Sequence, residues 1–164
     1  MVYREKIELF SNDKAITFHN VTAKVKEIIA NSKMKNGIVN VYSHHTTCAV
    51  ITQEIGFDMC VTGLENLQQD FVEALQKIMP DCVREGIYLH PGPKALKFAE
   101  EHDEDARGCH NTDAHLRSAL IGRSETMTVI DGEIDLGEFA NIYFIDFDTT
   151  RARKRTVQVT VIGE

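Results

Sequence analysis

The sequence predicts a single α+β domain, and three observations lead to this class. The chain has 164 residues, which is about the length of one domain. Segments in which apolar and polar residues alternate, as they do in strands, follow one another along the chain after connections short enough for hairpins. This favours antiparallel or mixed sheets over a doubly wound parallel sheet. Separate segments with apolar residues at helical spacing predict helices that pack on these sheets. We therefore expect residues 1–164 to form one domain.

The first third of the chain is predicted to form two strands and a helix. Residues 3–10 alternate between apolar and polar side chains, as a half-buried strand does, and residues 15–19 form a second, short strand. Apolar residues then recur at helical spacing over 21–29, with Asn20 or Thr22 as the N-terminal cap.

The middle of the chain is predicted to form two strands and a longer helix. Residues 37–43 and 48–53 are rich in β-branched and apolar side chains, and the polar segment 44–47 lies between them. A stripe of apolar residues over 64–78 predicts a core-facing helix that ends before Pro80.

A long connection follows, from Arg84 to His110, in which Pro93 begins a short helix that runs to Glu101. A connection of this length is typical of a lid, a binding loop or a disordered insert. The next helix is predicted over 111–120, with Asn111 as its N-cap and Gly122 as its C-terminal stop.

The last part of the chain is predicted to be all strand. Asp131-Gly132 is a two-residue turn signal between strands 126–130 and 133–136. Two further strands cover 141–147 and 155–162. The predicted architecture is a β-sandwich of mainly antiparallel strands with packed helices.

The charge argues against a nucleic acid as partner, and the distribution of apolar residues argues against a membrane. Eighteen basic and twenty-five acidic residues give a net charge of −7, whereas general nucleic-acid binding needs a basic surface. No stretch approaches the roughly 18 apolar residues of a membrane-spanning helix, and residues 1–10 lack the apolar core of a signal peptide. We expect neither a nucleic acid nor a membrane as partner, and a cytoplasmic location.

The first candidate site is the polar segment His44-His45-Thr46-Thr47. Strand alternation directs neighbouring side chains to opposite faces, so only one of the two histidines reaches a given site. The hydroxyls of Thr46 and Thr47 can bind a phosphate or a carboxylate. The alternative interpretation is a polar turn with surface histidines.

Glu54, at the end of the second of these strands, is a candidate general base or metal ligand, and otherwise a solvated carboxylate. A second group consists of His102, His110 and His115, the last near the start of the helix that Asn111 caps. A helix start can bind an anion, and a neutral imidazole can bind a metal ion. The alternative is an exposed, histidine-rich loop.

Acidic and basic residues adjoin near the C-terminus. Asp146 and Asp148 precede Arg151, Arg153 and Arg155. This order predicts Mg²⁺-binding carboxylates next to phosphate-binding arginines, or a solvated strand edge. Arg153 or Arg155 is also a candidate for a subunit interface.

These segments occur together in an order that is typical of one family. They are His45-Thr46-Thr47 and the strand to Gln53-Glu54, Asp70, Pro80, His102-Asp103, Ala114-His115, Ile121-Gly122, residues 137–148 and residues 151–161. In this combination, and over nearly its whole length, the chain resembles the YjbQ-like family, sometimes named secondary thiamine-phosphate synthase.

The chain departs from the family pattern at three places. Gly137-Glu138-Phe139-Ala140 stands where the family usually has Gly-Thr-Trp-Gln, and this replaces an indole ring by a phenyl ring and removes an amide side chain, both of which are able to contact a ligand. Gln53 replaces an asparagine before Glu54, and the region from Arg84 to Glu101 is longer than the family loop.

The resemblance implies an α+β fold with a β-sandwich, assembly as a homotrimer, and coupling of an aminopyrimidine diphosphate with a thiazole phosphate. On this basis we expect a small phosphorylated ligand and a divalent metal ion, Zn²⁺ or Mg²⁺. The alternative function is a metal- or phosphate-binding protein without that activity; a purely oligomeric interaction protein is a third hypothesis. The resemblance also implies a pocket built around His45, Glu54, His102 and His115, within one subunit or between subunits. Together with the candidates above, we expect catalytic His45, Glu54 and His115, phosphate-binding Thr46, Thr47, Asn111 and Arg153, and metal-binding His45, His102 and His115.

Overall fold

The fold consists of two antiparallel sheets with helices packed around them. The computed structural model describes residues 1–83 and 86–164. Arg84 and Glu85, where the predicted long connection begins, lie outside the described residues. The strands are β1 (Val2–Phe10), β2 (Thr17–Asn20), β3 (Gly37–Ser43), β4 (Cys48–Glu54), β5 (Ser124–Ile130), β6 (Glu133–Ile134), β7 (Ala140–Asp146) and β8 (Lys154–Gly163).

The helices are α1 (Thr22–Ser32), α2 (Asn66–Ile78), α3 (Pro93–Glu101) and α4 (Thr112–Ile121), and a 3₁₀ turn covers Ala106–Cys109. Within the described ranges no helix has the length and apolar content needed to cross a membrane. The predicted α+β class with antiparallel sheets is confirmed.

The larger sheet has the strand order β1-β8-β3-β5-β6, and the smaller sheet has the order β2-β7-β4. Each neighbouring pair is antiparallel. The close approach of β3 and β8 requires glycine, since a Cβ at Gly37 would lie 2.1 Å from the carbonyl oxygen of Ile162. The turn between β5 and β6 uses Asp131 and Gly132 with φ of 53° and 84°, the left-handed conformation that the sequence signal predicts.

The main core lies between the two sheets. Valines of β3 and β8 face Val50 and Phe144 of the smaller sheet, and α1 closes this layer with Val25 and Ile29. A second core lies on the other face of the smaller sheet, where α2 and α4 pack on Ala49 and Ile145. The smaller sheet is therefore covered on both faces, as its continuous apolar strands require.

The sequence interpretation of α2 needs correction. Leu67 and Ile78 of the predicted core stripe are exposed, and Val72 and Leu75 are the buried apolar residues of the helix. The reason is that only one side of the helix is covered: Val72 and Leu75 join the core cluster with Ala49 and Ile145. Its N-terminus is closed by a capping box between Glu65 and Gln68.

The predicted cap of α4 also has a different role. Asn111 occupies the N-cap position, but its side chain makes no capping hydrogen bond. Instead, its Nδ2 donates to Oδ2 of Asp148 over 3.0 Å. The amide of Asn111 therefore bonds to a buried carboxylate that follows β7, and this bond connects the start of α4 to the smaller sheet.

Candidate functional site

A polar cavity of about 610 Å³ lies where the chain segments after β3, before α4 and before β8 meet. One wall comes from the turn between β3 and β4, another from α3 and the 3₁₀ turn, and a third from the arginine-rich segment that leads into β8. Its lining comprises His44, His45, Thr46, Thr47, His90, Ala95, Phe98, Ala99, Glu104, Gly108, Cys109, Asn111, His115, Arg151, Arg153 and Arg155.

His45 is held in one tautomer by the backbone of β8. The N–H of Thr156 donates to Nε2 of His45 over 3.0 Å. A nitrogen that accepts a hydrogen bond carries no proton, so the neutral ring has its proton on Nδ1. Burial, and then the charge of Arg155, lowers the pKa of His45, while Asp146 opposes the shift. His45 is thus a neutral hydrogen-bond donor near pH 7.

His115 is held in the opposite tautomer. Its Nδ1 lies 3.2 Å from the carbonyl oxygen of Thr46, which can only accept, so Nδ1 carries the proton and Nε2 has a lone pair. Burial lowers the pKa of His115; the hydrogen bond to Thr46 opposes this and neighbouring His90 adds to it. The rings of His90 and His115 meet edge to face with centroids 6.0 Å apart.

Two carboxylates at the end of β7 lie behind the arginines. Asp146 forms a bidentate pair with Arg155, with Nε to Oδ2 at 2.6 Å and the second contact at 3.1 Å. Arg155 also donates to Oγ1 of Thr47 over 3.1 Å. Both partners of the ion pair are buried. This geometry supports a strong pair that joins the two sheets at the base of the cavity.

Asp148 is held ionised by a dense set of donors. Burial alone raises its pKa, but the side chain and backbone N–H of Thr150, the amide of Asn111 and the charge of Arg153 together lower it below its ordinary value. The guanidinium of Arg153 lies 3.1 Å from Oδ2 of this carboxylate. Asp148 therefore fixes Arg153 at the cavity wall.

Arg151 and Arg153 retain donors that are not used by the protein. Arg151 contacts Glu104 over 3.4 Å, and Arg153 contacts Asp148. Within the described residues, Nε of both arginines is buried and lacks a hydrogen-bond partner. Since a guanidinium has five N–H donors and these side chains are 38% and 24% exposed, the Nη groups, rather than the buried Nε, leave donors for an anion.

The structure brings together most, but not all, of the predicted site residues. His45, Thr46, Thr47, Asn111, His115 and Arg153 line one cavity. Glu54 does not, because it lies exposed at the end of β4 that is opposite to Cys48 and the cavity, paired in register with Ala140. Asp70 is exposed on α2.

His102 is also absent from the lining. Its ring stacks on Phe98, with centroids 3.9 Å apart, and its Nδ1–H donates to the carbonyl oxygen of Phe98 over 2.7 Å. The predicted metal set of His45, His102 and His115 is therefore not assembled.

The remaining donors do not fit a metal ion. Across residues 1–83 and 86–164, no three His, Cys, Asp or Glu side chains converge in a way that could hold one. Nε2 of His45 already accepts from Thr156, and its other nitrogen carries the proton. Asp146 and Asp148 are bonded to arginines, whereas a divalent cation needs carboxylates that face it.

Several cavity residues were not predicted from the sequence. His90 stands outside any periodic segment, and Phe98 and Glu104 belong to a region with no motif. Arg151 and Arg155 were named with Arg153 as candidate phosphate-binding arginines, with a solvated strand edge as the alternative. The available signal was their alternation with Arg153 in an extended segment, which places all three on one side of the chain.

Comparisons with known proteins agree on one family. The family model described as "UPF0047 protein YjbQ-like" matches residues 5–164. A UPF0047 protein of Methanothermobacter thermautotrophicus is 28% identical over 163 residues, which are 99% of this chain and 94% of that protein. A UPF0047 protein of Methanocaldococcus jannaschii is 26% identical over 164 residues, covering 100% of this chain and 96% of that one.

Solved structures share the fold. A hypothetical protein of Aeropyrum pernix superposes with a TM-score of 0.69 at 26% identity, over 98% of this chain and 99% of that chain. An uncharacterized conserved protein of Clostridium acetobutylicum, described as of the YjbQ/UPF0047 family, also gives 0.69, at 24% identity and over 97% and 98% of the two chains.

Proposed function

The chain belongs to the YjbQ-like UPF0047 family, and we propose that it is a small-molecule enzyme whose cavity binds a phosphate-bearing substrate. The proposal rests on the ion pair and the exposure of Arg153. Its guanidinium is fixed on one side by the buried carboxylate of Asp148, and 24% of its side chain remains exposed at the cavity. A fixed arginine with spare donors is suited to a phosphate, which it can meet with two parallel hydrogen bonds.

The charges of the cavity wall also support an anion. Arg151 and Arg153 lie in the lining, whereas the carboxylate of Asp148 that balances Arg153 is itself fully buried behind it. His45 adds a neutral N–H donor from Nδ1. A substrate phosphate would therefore meet N–H groups of Arg153 and His45 directly, whereas on Arg151 it would first displace the partly exposed carboxylate of Glu104.

Thr47 and Asn111 have a supporting role in this arrangement. Thr47 accepts from Arg155, and Asn111 donates to Asp148, so neither has its main polar contact free for a ligand. Thr46 differs, because its side chain is exposed at the cavity while its carbonyl orients His115. Its hydroxyl is the threonine group that would contact a phosphate.

The specific reaction we propose is the coupling that the family resemblance implies. The ring nitrogen of a thiazole phosphate attacks the methylene carbon of an aminopyrimidine diphosphate. A C–N bond forms, the C–O bond breaks, and diphosphate leaves with the electron pair. The negative charge that develops on the leaving oxygen would be stabilised by Arg151, Arg153 and His45, as preorganised donors stabilise an oxyanion.

His115 would orient the substrate through its free Nε2. Because Nδ1–H is bonded to the carbonyl of Thr46, Nε2 can only accept while the ring is neutral. It would therefore select an N–H or O–H group on the substrate. The same lone pair can take up a proton, with the pKa lowered by burial as described above.

The binding step is tested with Arg153→Met and a matched control, Lys154→Met. Both changes remove one positive charge from adjacent residues, but Lys154 pairs with Glu8 of β1 and does not line the cavity. Titration calorimetry with inorganic pyrophosphate, in excess EDTA, should give a loss of affinity of at least about tenfold for Arg153→Met only. Equal losses in both variants, or binding that requires a metal ion, would contradict the proposal.

The catalytic step is tested by assay of the wild type and His115→Ala with both substrates. The proposal predicts product with the wild type and a large loss of turnover in the variant. Pyrophosphate binding with no product at high enzyme concentration would favour the alternative function, a phosphate-binding protein without this activity.

A further inference from the structure

One wall of the cavity is apolar, in contrast to the wall that the arginines form. Ala95, Phe98 and Ala99 of α3 line the cavity. They occupy positions i, i+3 and i+4, so they lie on one face of the helix. Ala99 is buried, but Phe98 is 59% exposed, which leaves most of an aromatic side chain uncovered at the edge of a polar site.

Phe98 is held in a defined orientation by His102. The two rings are nearly parallel, with an angle of 25° and centroids 3.9 Å apart. The hydrogen bond from Nδ1 of His102 to the carbonyl oxygen of Phe98 fixes the imidazole. The imidazole covers one face of the phenyl ring, and the small side chains of Ala95 and Ala99 leave room beside it.

We propose that this face of α3 is the subsite for a planar ring of the phosphate-bearing ligand, with Phe98 as the stacking residue and His102 as a positioning residue behind it. The inference rests on the proposed function, because the ring is placed by a phosphate held on the arginines. It explains why donors and an exposed aromatic ring share one cavity: an amphipathic ligand satisfies both.

A planar ring fits this subsite better than an alkyl chain. A fixed aromatic ring attracts another ring in an offset stacked or edge-to-face arrangement, beyond the area that the contact buries. A flexible chain gains only the free energy of burying its apolar area, and it loses more conformational freedom on binding. The subsite therefore selects among phosphate esters by the shape of the group attached to the phosphate.

The test compares three probes: inorganic phosphate, propyl phosphate and 1-naphthyl phosphate. The wild type should bind 1-naphthyl phosphate about fivefold more tightly than propyl phosphate. Phe98→Ala should remove this preference and leave the affinity for inorganic phosphate unchanged. Phe98→Leu should also remove it while keeping the affinity for propyl phosphate, because leucine keeps apolar area without the ring.

Two further variants complete the test. Phe139→Ala is the control, because Phe139 is similarly exposed, at 51%, but does not line the cavity; it should behave as the wild type. His102→Ala should reduce the preference by about twofold at constant affinity for inorganic phosphate, and His102→Phe should restore it.

The outcomes separate the two proposals. A wild type that does not bind inorganic phosphate contradicts the proposed function, and the ring subsite fails with it. A wild type that binds inorganic phosphate but shows no preference for the naphthyl ester contradicts the ring subsite alone. A preference that persists in Phe98→Ala does the same.

Discussion

The backbone N–H of Thr156 donates a 3.0 Å hydrogen bond to Nε2 of His45, and this bond fixes the tautomer of the ring. His115 is fixed in the opposite sense by the carbonyl oxygen of Thr46. The main chain thus supplies the cavity with one imidazole that donates and one that accepts. Both roles depend on neutral rings. A protonated Nε2 on His45 would face the N–H of Thr156, and a protonated Nε2 on His115 could not accept a hydrogen bond.

This arrangement predicts that acid destabilises the fold through His45. Burial and Arg155 lower its pKa below the ordinary 6.5, so at pH values between this lowered pKa and about 6.5 the unfolded chain binds a proton that the folded chain does not. The free energy of unfolding should therefore fall as the pH drops from 7.5 towards 5.5. It should fall less in His45→Gln, which keeps an acceptor for Thr156 and does not titrate.

Urea unfolding at several pH values measures this difference. His44→Gln is the control, since the neighbouring His44 side chain is exposed and its charge is a lesser cause of the lowered pKa of His45 than burial or Arg155; it should stay close to the wild-type profile. Parallel profiles for the wild type and His45→Gln would show that the folded and unfolded states bind this proton equally.

The buried pair between Arg155 and Asp146 predicts a large loss of stability when one partner is removed. Arg155→Met should lower the free energy of unfolding by about 3–5 kcal/mol, because Asp146 is then left buried without its counter-charge. Lys154→Met, which breaks an exposed pair with Glu8, should cost less than about 1 kcal/mol. Chemical denaturation of both variants measures the contrast.

The double variant Arg155→Met/Asp146→Leu separates charge from packing. It should recover part of the loss, because no uncompensated charge remains. A double variant that is less stable than Arg155→Met would indicate that the pair contributes through its geometry rather than through mutual neutralisation.

The fold was predictable because its signals are local. The Asp131-Gly132 turn, the alternation over β8 and the proline at the start of α3 each act within a few residues, and all three elements form where these signals predict them. The site depends instead on which segments meet. A glutamate at a strand end carries no information about which end of the sheet the cavity occupies, and this is why the sequence did not show that Glu54 lies outside the lining of this cavity.

The histidines illustrate the same limit. His45 and His115 were predicted because each adjoins a recognisable strand end or helix start. His102 was predicted as a ligand from its neighbours in sequence, but at the C-cap of α3 it lies one turn beyond Phe98 and stacks on it. The partner of a side chain on a helix is set by the residue four positions away, which the motif alone does not reveal.

The location of Glu54 yields a prediction of its own. Glu54→Ala should leave the affinity for inorganic pyrophosphate and the turnover unchanged, because the side chain is exposed at the far end of β4. Arg153→Met provides the positive control in the same titration. A loss of binding in Glu54→Ala would require a site that Glu54 reaches, such as one completed by a second copy of the chain.

The contact between Glu104 and Arg151 predicts competition between the protein and its ligand. Oε2 of Glu104 lies 3.4 Å from the guanidinium of Arg151, and the two side chains are 45% and 38% exposed. Glu104 follows α3, and the backbone N–H of Glu104 donates to the carbonyl of Ala99, so the carboxylate is carried by the segment that forms the apolar wall. A ligand phosphate on Arg151 must displace it.

Glu104→Gln should therefore raise the affinity for inorganic phosphate by about two- to threefold, the range expected for a partly exposed ion pair. It should also speed amide hydrogen exchange over residues 93–109 in the free protein, because the segment loses a tie to the β8 side of the cavity. Glu101→Gln is the matched control: Glu101 pairs with Lys97 inside α3, so the same loss of charge should leave phosphate affinity unchanged. Equal gains in the two variants would mean that the net charge of the segment, rather than the contact with Arg151, controls access to the site.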